Sequence, residues 1–122
     1  MASNKTFNFG PVALTNTYTT NILNPGTTTG GTNGGGSLNL FITIRKLRIT
    51  NKTSGAVTFR LYKGATGANT AGTELAYDQS VPANSSVEIF GGMTFTTADF
   101  LVGGASASTS LTIEGEGEIG VQ

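Results

Sequence analysis

Three glutamates near the C-terminal end, Glu114, Glu116 and Glu118, come closest to a chemical site by type and spacing. They occupy alternate positions in the stretch 111–121, where the intervening residues are apolar or glycine, and this pattern predicts a β-strand with one solvated face. Carboxylates two residues apart on such a face lie about 6.5–7 Å from one another. A row of this kind could ligate Ca²⁺, which prefers hard oxygen ligands, or supply the acid and base of a glycosidase.

A structural role is the interpretation that the sequence favours for the same row. Lys46 and Arg48 share one face of an earlier strand, and Arg60 has the outward parity of the strand after it. If these strands neighbour the last one, the glutamates form cross-strand ion pairs with the three cations. Exposed pairs contribute only about 0–1 kcal/mol each. We therefore predict a charged outer face that sets strand register or faces a charged neighbour, with Glu114, Glu116 and Glu118 as the alternative metal ligands.

Other routes to catalysis lack the residues that they need. Nucleophilic catalysis requires a base beside Ser, Thr or Cys, and the 122 residues include no His and no Cys. The glycine-rich tracts match neither G-x-x-x-x-G-K-[ST] nor a G-x-G-x-x-G followed by helical periodicity. The sequence thus predicts a protein that is not an enzyme and binds no cofactor. Tyr62 has outward parity, so one exposed ring for glycan binding remains an alternative.

Composition and charge narrow the classes of partner. Seven basic and seven acidic side chains give a formal net charge of zero, whereas nucleic-acid binders normally carry a basic excess. No apolar run approaches the length of a membrane span, and the N-terminal residues lack the apolar core of a secretory signal. We expect synthesis in a cytoplasm and no nucleic-acid or membrane partner. The low charge limits self-repulsion, which suits packing against copies of the chain or a large partner.

The elements behind these faces are short strands. From Leu38 onward, apolar alternation and turn residues recur at short intervals, and no stretch has helical periodicity. This predicts an all-β fold, either an antiparallel β-sandwich or a small barrel of jelly-roll type. A parity switch between Ile44 and Leu47 predicts a bulge or a bend near Arg45 and Lys46. Glycines interrupt the buried face of the last strand, which marks a bulge, a tight bend or the close approach of another backbone or a bulky side chain. The candidate rings are Phe41, Phe59, Phe90, Phe95 and Phe100.

The first 37 residues have a different composition. Their apolar residues are scattered, and a Thr/Gly/Asn-rich tract runs to Gly36, which is typical of a linker. We predict an extended N-terminal arm and hinge over residues 1–37 and a sandwich domain over residues 38–122. The arm is expected to contact a neighbouring subunit through its apolar residues, Phe7, Phe9, Val12, Leu14 and Tyr18.

Two stretches carry a family resemblance. Residues 44–74 read IRKLRITNKTSGAVTFRLYKGATGANTAGTE, and residues 99–121 read DFLVGGASASTSLTIEGEGEIGV. They resemble small proteins encoded among the virion genes of tailed bacteriophages, through a basic apolar strand, an Asn-Lys-Thr turn and a closing E-G-E-G-E-I-G-V strand. The resemblance implies a capsid or tail component. Among these, head decoration (cement) proteins are small β-rich modules, often trimers, that sit over junctions between capsid subunits. The resemblance does not identify any catalytic or binding residues.

These observations lead to one expected function and one alternative. We expect a virion structural protein on the outer capsid surface, bound to the major capsid protein or another virion protein as a homo-oligomer, in particular a trimer. The alternative is a glycan- or Ca²⁺-binding sandwich module of a tail fibre, head fibre or adhesin.

Overall fold

Strands make up all the regular structure that the computed structural model describes, which covers residues 5–23, 39–95 and 99–121. No helix occurs in these three segments, and so none that could cross a membrane. The all-β fold expected from the short alternations is confirmed. The eight strands in chain order are β1 (Lys5–Ala13), β2 (Thr20–Leu23), β3 (Asn39–Asn51), β4 (Val57–Gly64), β5 (Glu74–Val81), β6 (Ser85–Phe95), β7 (Phe100–Ala105) and β8 (Leu111–Val121).

The strands form two four-stranded antiparallel sheets. The first has the order β1-β8-β3-β6 and the second the order β2-β7-β4-β5. The chain therefore pairs its first half with its second half, β1 with β8, β2 with β7, β3 with β6 and β4 with β5. Further pairing of β8 with β3 and of β7 with β4 completes the two four-stranded sheets. This is the winding of an eight-stranded jelly roll, and it confirms the predicted sandwich.

The two inner faces enclose one hydrophobic core. In β8, Leu111 and Ile113 are fully buried while Glu114 and Glu116 are exposed, as the period-two pattern predicts. The same alternation supplies the rest of the inner faces, because successive side chains of a strand point to opposite sides of the sheet. The largest buried side chains of the core come from both sheets: Phe9, Leu14, Ile22, Leu23, Ile42, Ile44, Leu47, Ile49, Phe59, Leu61, Phe95, Leu101, Leu111 and Ile113.

The N-terminal segment differs from its prediction as a separate arm. Over residues 5–23 it forms β1 and β2, which are edge strands of the two sheets, so the sandwich already includes residues before the predicted boundary at 37/38. The local pattern hid this because the register of β1 shifts between Phe9 and Val12, around the cis Gly10–Pro11 peptide. Its pairing partner, β8, also lies a hundred residues away. The remaining parts of the predicted arm and hinge, residues 1–4 and 24–37, lie outside the described residues.

Three of the five apolar residues assigned to an intersubunit interface belong to the chain's own core or pack against it. Phe9 and Leu14 are buried, and Val12 packs against the core cluster. Tyr18, in the loop after β1, lies over the guanidinium of Arg60. The backbone of Phe7 pairs with β8, and its side chain is outside the described part of the structure. Phe9 and Leu14 are therefore unavailable to a neighbouring subunit.

The first sheet has two irregularities, a bulge in β3 and two glycines on the buried face of β8. A register shift between Ile44 and Lys46 against β8, where β3 has one residue more than its partner, confirms the predicted bulge in β3. Against β6 the extra residue lies in β6, between Phe90 and Met93. On the buried side, the space beside Gly115 is filled by the ring of Phe9 and not by any of the five phenylalanines predicted for it. The backbone of Thr43 and Ile44 approaches Gly117 in the same way. The bulge adds one residue, so that Arg45 and Lys46 both reach the outer face of the sheet.

Candidate functional site

The outer face of the first sheet carries half of the protein's charged side chains. Charge alternates from strand to strand: β8 and β6 contribute acids, and the intervening β3 contributes bases. Because neighbouring strands lie about 4.8 Å apart, this order places the cations of β3 between the glutamate row of β8 and the single carboxylate of β6, Glu88. We call this surface the charged face, and its members are Arg45, Lys46, Arg48, Glu88, Glu114, Glu116 and Glu118.

Ion pairs join the three strands of the charged face. Lys46 Nζ lies 3.4 Å from Glu88 Oε2 and 3.6 Å from Glu116 Oε1, so this lysine bridges β6 and β8. Arg48 donates from Nη2 to Glu88 Oε2 at 3.0 Å, and Arg45 pairs with Glu118. All members remain partly exposed, and each pair therefore contributes about 0–1 kcal/mol. The network sets the register of three strands more than it adds stability.

The predicted pairing is right for one cation and wrong for two. Lys46 meets Glu116 as expected, but Arg48 turns to Glu88, and Arg60 lies in the second sheet, where it pairs with Asp78. Parity identifies the face on which a residue lies and not the neighbouring strand, so the sequence did not predict that β6 pairs with β3. The outward parity of Glu88, between two apolar residues, was a readable signal.

Glu88 pairs with two cations of the charged face, Lys46 and Arg48, and its titration is testable. The hydrogen bonds from Arg48, and secondarily from Lys46, lower the pKa of the Glu88 carboxyl. A lowered folded-state pKa means that the stabilisation is present above the usual glutamate value of about 4.3 and is lost as the pH falls through the folded value. We therefore expect Glu88→Gln to lower the melting temperature at neutral pH, with the difference from wild type narrowing in acid.

Glu114→Gln is the matched control for that experiment. Glu114 lies on the same face, opposite Arg48 in the strand register, yet has no ion pair among the described residues. Circular-dichroism melting curves at several pH values compare the two variants with the wild type. A Glu88→Gln difference that does not narrow in acid, or that Glu114→Gln reproduces, would contradict the assigned role of Glu88.

A shallow depression of about 140 Å³ lies on the charged face. Asn8, Lys46, Arg48, Glu114 and Glu116 line it, with the backbone of Gly115. Its acids stand beside two cations, and this mixture does not concentrate the negative charge that a divalent cation requires. In the segments that the structure describes, no group of three or more Asp, Glu, His or Cys side chains is arranged to hold a metal. The geometry thus favours the structural interpretation of the glutamate row.

A second cluster surrounds Arg60 on the outer face of the second sheet. The Arg60 guanidinium carbon lies 4.4 Å from the ring centre of Tyr18 and 4.2 Å from that of Tyr77. Arg60 Nε also donates to Asp78 Oδ1 at 2.7 Å, and this hydrogen bond raises the pKa of the guanidinium. Tyr18 and Asp78 both have positive φ, 59° and 51°, which is uncommon for residues other than glycine. The cluster fastens the β1–β2 loop and β5 to β4.

Tyr62, the ring that the glycan alternative needs, is buried and only 3% exposed. Gly67 N donates to Asn21 Oδ1 at 2.8 Å, so the loop after β4 bonds to β2. Because β7 lies between β4 and β2, this loop crosses the sheet and covers Tyr62 and Val102, which are buried outside the main core cluster. The outward parity of Tyr62 is right, but its predicted exposure is wrong because a loop covers that face.

Exposed apolar side chains are concentrated on two edge strands. Among the described residues, the large hydrophobic side chains that are exposed are Leu75 and Tyr77 on β5 and Phe90 on β6, at 40%, 52% and 70%. β5 and β6 are the edges of the two sheets on the same side of the sandwich, where they contact each other. The sequence pattern did not distinguish these residues from core residues, since edge position depends on strand order.

Comparisons with known proteins do not add an assignment. No family model, curated protein or solved structure matches this chain. The basis for a function is therefore the chemistry of its surfaces, which offer ion-paired side chains on one face and exposed apolar side chains on one pair of edges.

Proposed function

We propose that this chain is a non-enzymatic structural protein of a virion, and specifically a decoration protein that binds the outer surface of a capsid. The resemblance of residues 44–74 and 99–121 to phage virion proteins supports the class. The jelly-roll winding is compatible with it, although one fold serves many functions and does not select among them. The proposal therefore depends on a surface that suits binding to another protein.

The observation that carries the proposal is the exposure of β5. Seven of its eight residues, all except Val81, are exposed or only partly buried, and Leu75 and Tyr77 project from it. Exposed apolar groups on an edge strand favour association unless a partner covers them. Tyr77 is held by stacking on Arg60, so its ring is fixed before any partner binds. Ordered aromatic and arginine side chains of this kind are enriched in the energetically dominant parts of protein interfaces.

A capsid is a suitable partner for such a surface because it repeats one docking site many times. Each copy of the chain offers a small apolar patch with little net charge, which by itself gives modest affinity. Contact with several subunits of a shell, or linkage between copies, raises the effective affinity without new kinds of contact. Binding across subunit junctions would then stabilise the shell by mass action, since the ligand binds the assembled state preferentially.

Rebinding to stripped shells tests this proposal. Shells of the virus that encodes the chain, freed of the chain, are mixed with purified wild type, Leu75→Ser or Tyr77→Ser and sedimented. We expect saturable binding of the wild type and at least about tenfold weaker binding of each variant, as for truncation of an interface anchor. Gln79→Ser, which shortens another exposed side chain of β5, is the matched control and is expected to bind as the wild type does.

Two results would overturn the proposal. One is the absence of wild-type binding to the stripped shells, and the other is binding of both apolar-to-serine variants with wild-type affinity. Melting curves recorded for each variant separate lost docking from lost folding. Leu75 makes no ring or ion contact among the described residues, so its variant is expected to retain the fold.

A further inference from the structure

We infer that the β6 edge pairs with the β6 edge of a second copy of this chain, joining the first sheets of two copies into one eight-stranded antiparallel sheet. An edge strand presents unpaired backbone N–H and C=O groups, and natural proteins protect such edges with charge, proline, bulges or short length. The four edges of this sandwich differ in how well they are protected, and β6 is the least protected.

The other three edges each carry a feature that opposes pairing. β1 contains Pro11 and shifts register there, and proline cannot donate a backbone hydrogen bond. β2 has only four residues. The pairing of β5 with β4 shifts register twice, between Phe59 and Tyr62 of β4, and Asp78 of β5 has a positive φ. β6 also shifts register, between Phe90 and Met93, but it has eleven residues, no proline and a single charged side chain, Glu88.

The free part of the β6 edge has a definite length. Lys63 Nζ donates to the carbonyl oxygen of Thr94 at 2.7 Å and lies 5.4 Å from the ring centre of Phe95, so this lysine covers the end of the edge. Among the described residues, no other side chain bonds to the backbone of β6 along residues 85–93. The part of this stretch that pairs regularly with β3, residues 85–90, has the length of a typical strand of five or six residues, and the register shift follows it between Phe90 and Met93.

The free stretch can face a copy of itself without like charges meeting and with open space at Gly92. A two-fold axis through Ile89 aligns residues 85–93 of one copy with residues 93–85 of the other, so that Phe90 faces Glu88 and Ser86 faces Gly92. Like charges therefore do not meet, and Glu88 is already offset by Lys46 and Arg48. A Cβ at Gly92 would meet nothing within 4 Å, which leaves room for the facing strand. Phe90, the most exposed large hydrophobic residue described, becomes covered.

Pairing between two identical edges uses up both edges, so the assembly stops at two copies. An isologous contact uses the same patch on both subunits and yields a two-fold dimer, whereas the trimer implied by the virion resemblance would need two different edges. The zero net charge of the chain adds no long-range repulsion between copies. The inference does not rest on the proposed capsid role, because the dimer forms without a shell and uses β6, while shell docking is assigned to β5.

Sedimentation equilibrium over a wide concentration range tests the inference. We expect a species of twice the 12.5 kDa chain mass in the wild type, and a dissociation constant at least about tenfold higher in Phe90→Ser and Phe90→Lys. Tyr77→Ser removes an exposed ring from the other edge and is expected to dimerise as the wild type does. Because Phe90 is largely exposed, both of its variants are expected to keep the wild-type melting temperature at concentrations below the dissociation constant, where dimerisation does not add to the stability of the wild type.

Hydrogen exchange of the wild type gives a second measurement that needs no substitution. Backbone amides of residues 85–93 are expected to gain protection as the concentration rises through the dissociation constant, while those of β5 do not. A monomer at all concentrations, a trimer, or a dimer that Phe90→Lys leaves intact would overturn the inference. Protection gained in β5 and not in β6 would overturn it as well.

Discussion

Asn51→Asp is expected to lower the free energy of unfolding by about 3 kcal/mol, and by more if the carboxylate stays charged. Asn51 ends β3 and is only 1% exposed. Its Nδ2 donates to the carbonyl oxygens of Gly55 and Val81 at 2.9 and 3.0 Å, and its Oδ1 accepts from Thr53 N and Oγ1 at 2.9 and 2.7 Å. One amide thus joins the β3–β4 turn to the end of β5.

The substitution keeps the shape and the acceptor of Asn51 but removes both donors. The carbonyl oxygens of Gly55 and Val81 then face a carboxylate oxygen in a buried position, where unsatisfied polar groups are costly. Urea denaturation at neutral pH, analysed by linear extrapolation, measures the loss.

Asn84→Asp is the matched control for Asn51→Asp. Asn84 is an exposed turn residue with a φ of 52°, a conformation that both Asn and Asp tolerate, so its change is expected to stay within about 0.5 kcal/mol. Equal small losses at both positions would show that the buried amide does not hold the turn.

Gly117→Ala is expected to cost about 3 kcal/mol or to prevent folding, because the overlap involves backbone on both sides. A Cβ at Gly117 would overlap the carbonyl oxygen of Thr43 and lie 2.9 Å from Ile44 Cα. Both atoms belong to β3, the strand that pairs with β8 at this point. Relief therefore requires the two central strands of the first sheet to separate, which disturbs the ladder and the charged face above it.

Gly64→Ala provides the comparison for Gly117→Ala. Gly64 ends β4, and a Cβ there would meet nothing within 4 Å. Without a clash, the added methyl group mainly restricts the unfolded chain, so this variant is expected to be neutral or slightly stabilised. Urea denaturation of the two variants side by side measures the difference. Similar stabilities would mean that β3 and β8 are farther apart at Gly117 than the structure gives.

The local pattern of this sequence predicts faces well and neighbours poorly. Alternation in β8 and the parity switch in β3 predict which side chains point outward and where the bulge lies. Both predictions depend only on residues that are adjacent in sequence, because successive side chains of a strand point to opposite faces. The position of Arg60 in the other sheet depends on strand order, which sequence-local periodicity does not encode.

The N-terminal segment illustrates a second limit. Residues 5–23 have weak alternation and little charge, so their composition resembles that of a linker. Their structure depends on long-range pairing with β7 and β8 and on the fit of Phe9 over Gly115. The two glycines in β8 signalled that something bulky approaches, but the sequence could not identify which ring. The burial of Tyr62 likewise depends on a long-range contact, because the loop after β4 bonds to Asn21 of β2.

The surfaces of the sandwich suggest a division of labour. Ion pairs on the charged face hold the register of β8, β3 and β6, and the Arg60 cluster fixes β5 and the β1–β2 loop. These rigid strands then present Leu75 and Tyr77 on one edge and Phe90 on the other. We assign the first edge to a capsid surface and the second to another copy of the chain, so that a dimer would carry two shell-binding edges.

Location of the chain on intact particles tests the proposed function most directly. Under the proposed function a virus encodes the chain, and particles of that virus, purified on a density gradient, are labelled with gold-conjugated antibodies against the folded chain and viewed by electron microscopy. We expect many gold particles over the outer surface of intact heads, and loss of the label from heads stripped of the chain. Absence of the chain from purified particles, although it is abundant in the lysate, would contradict a role as a capsid decoration protein.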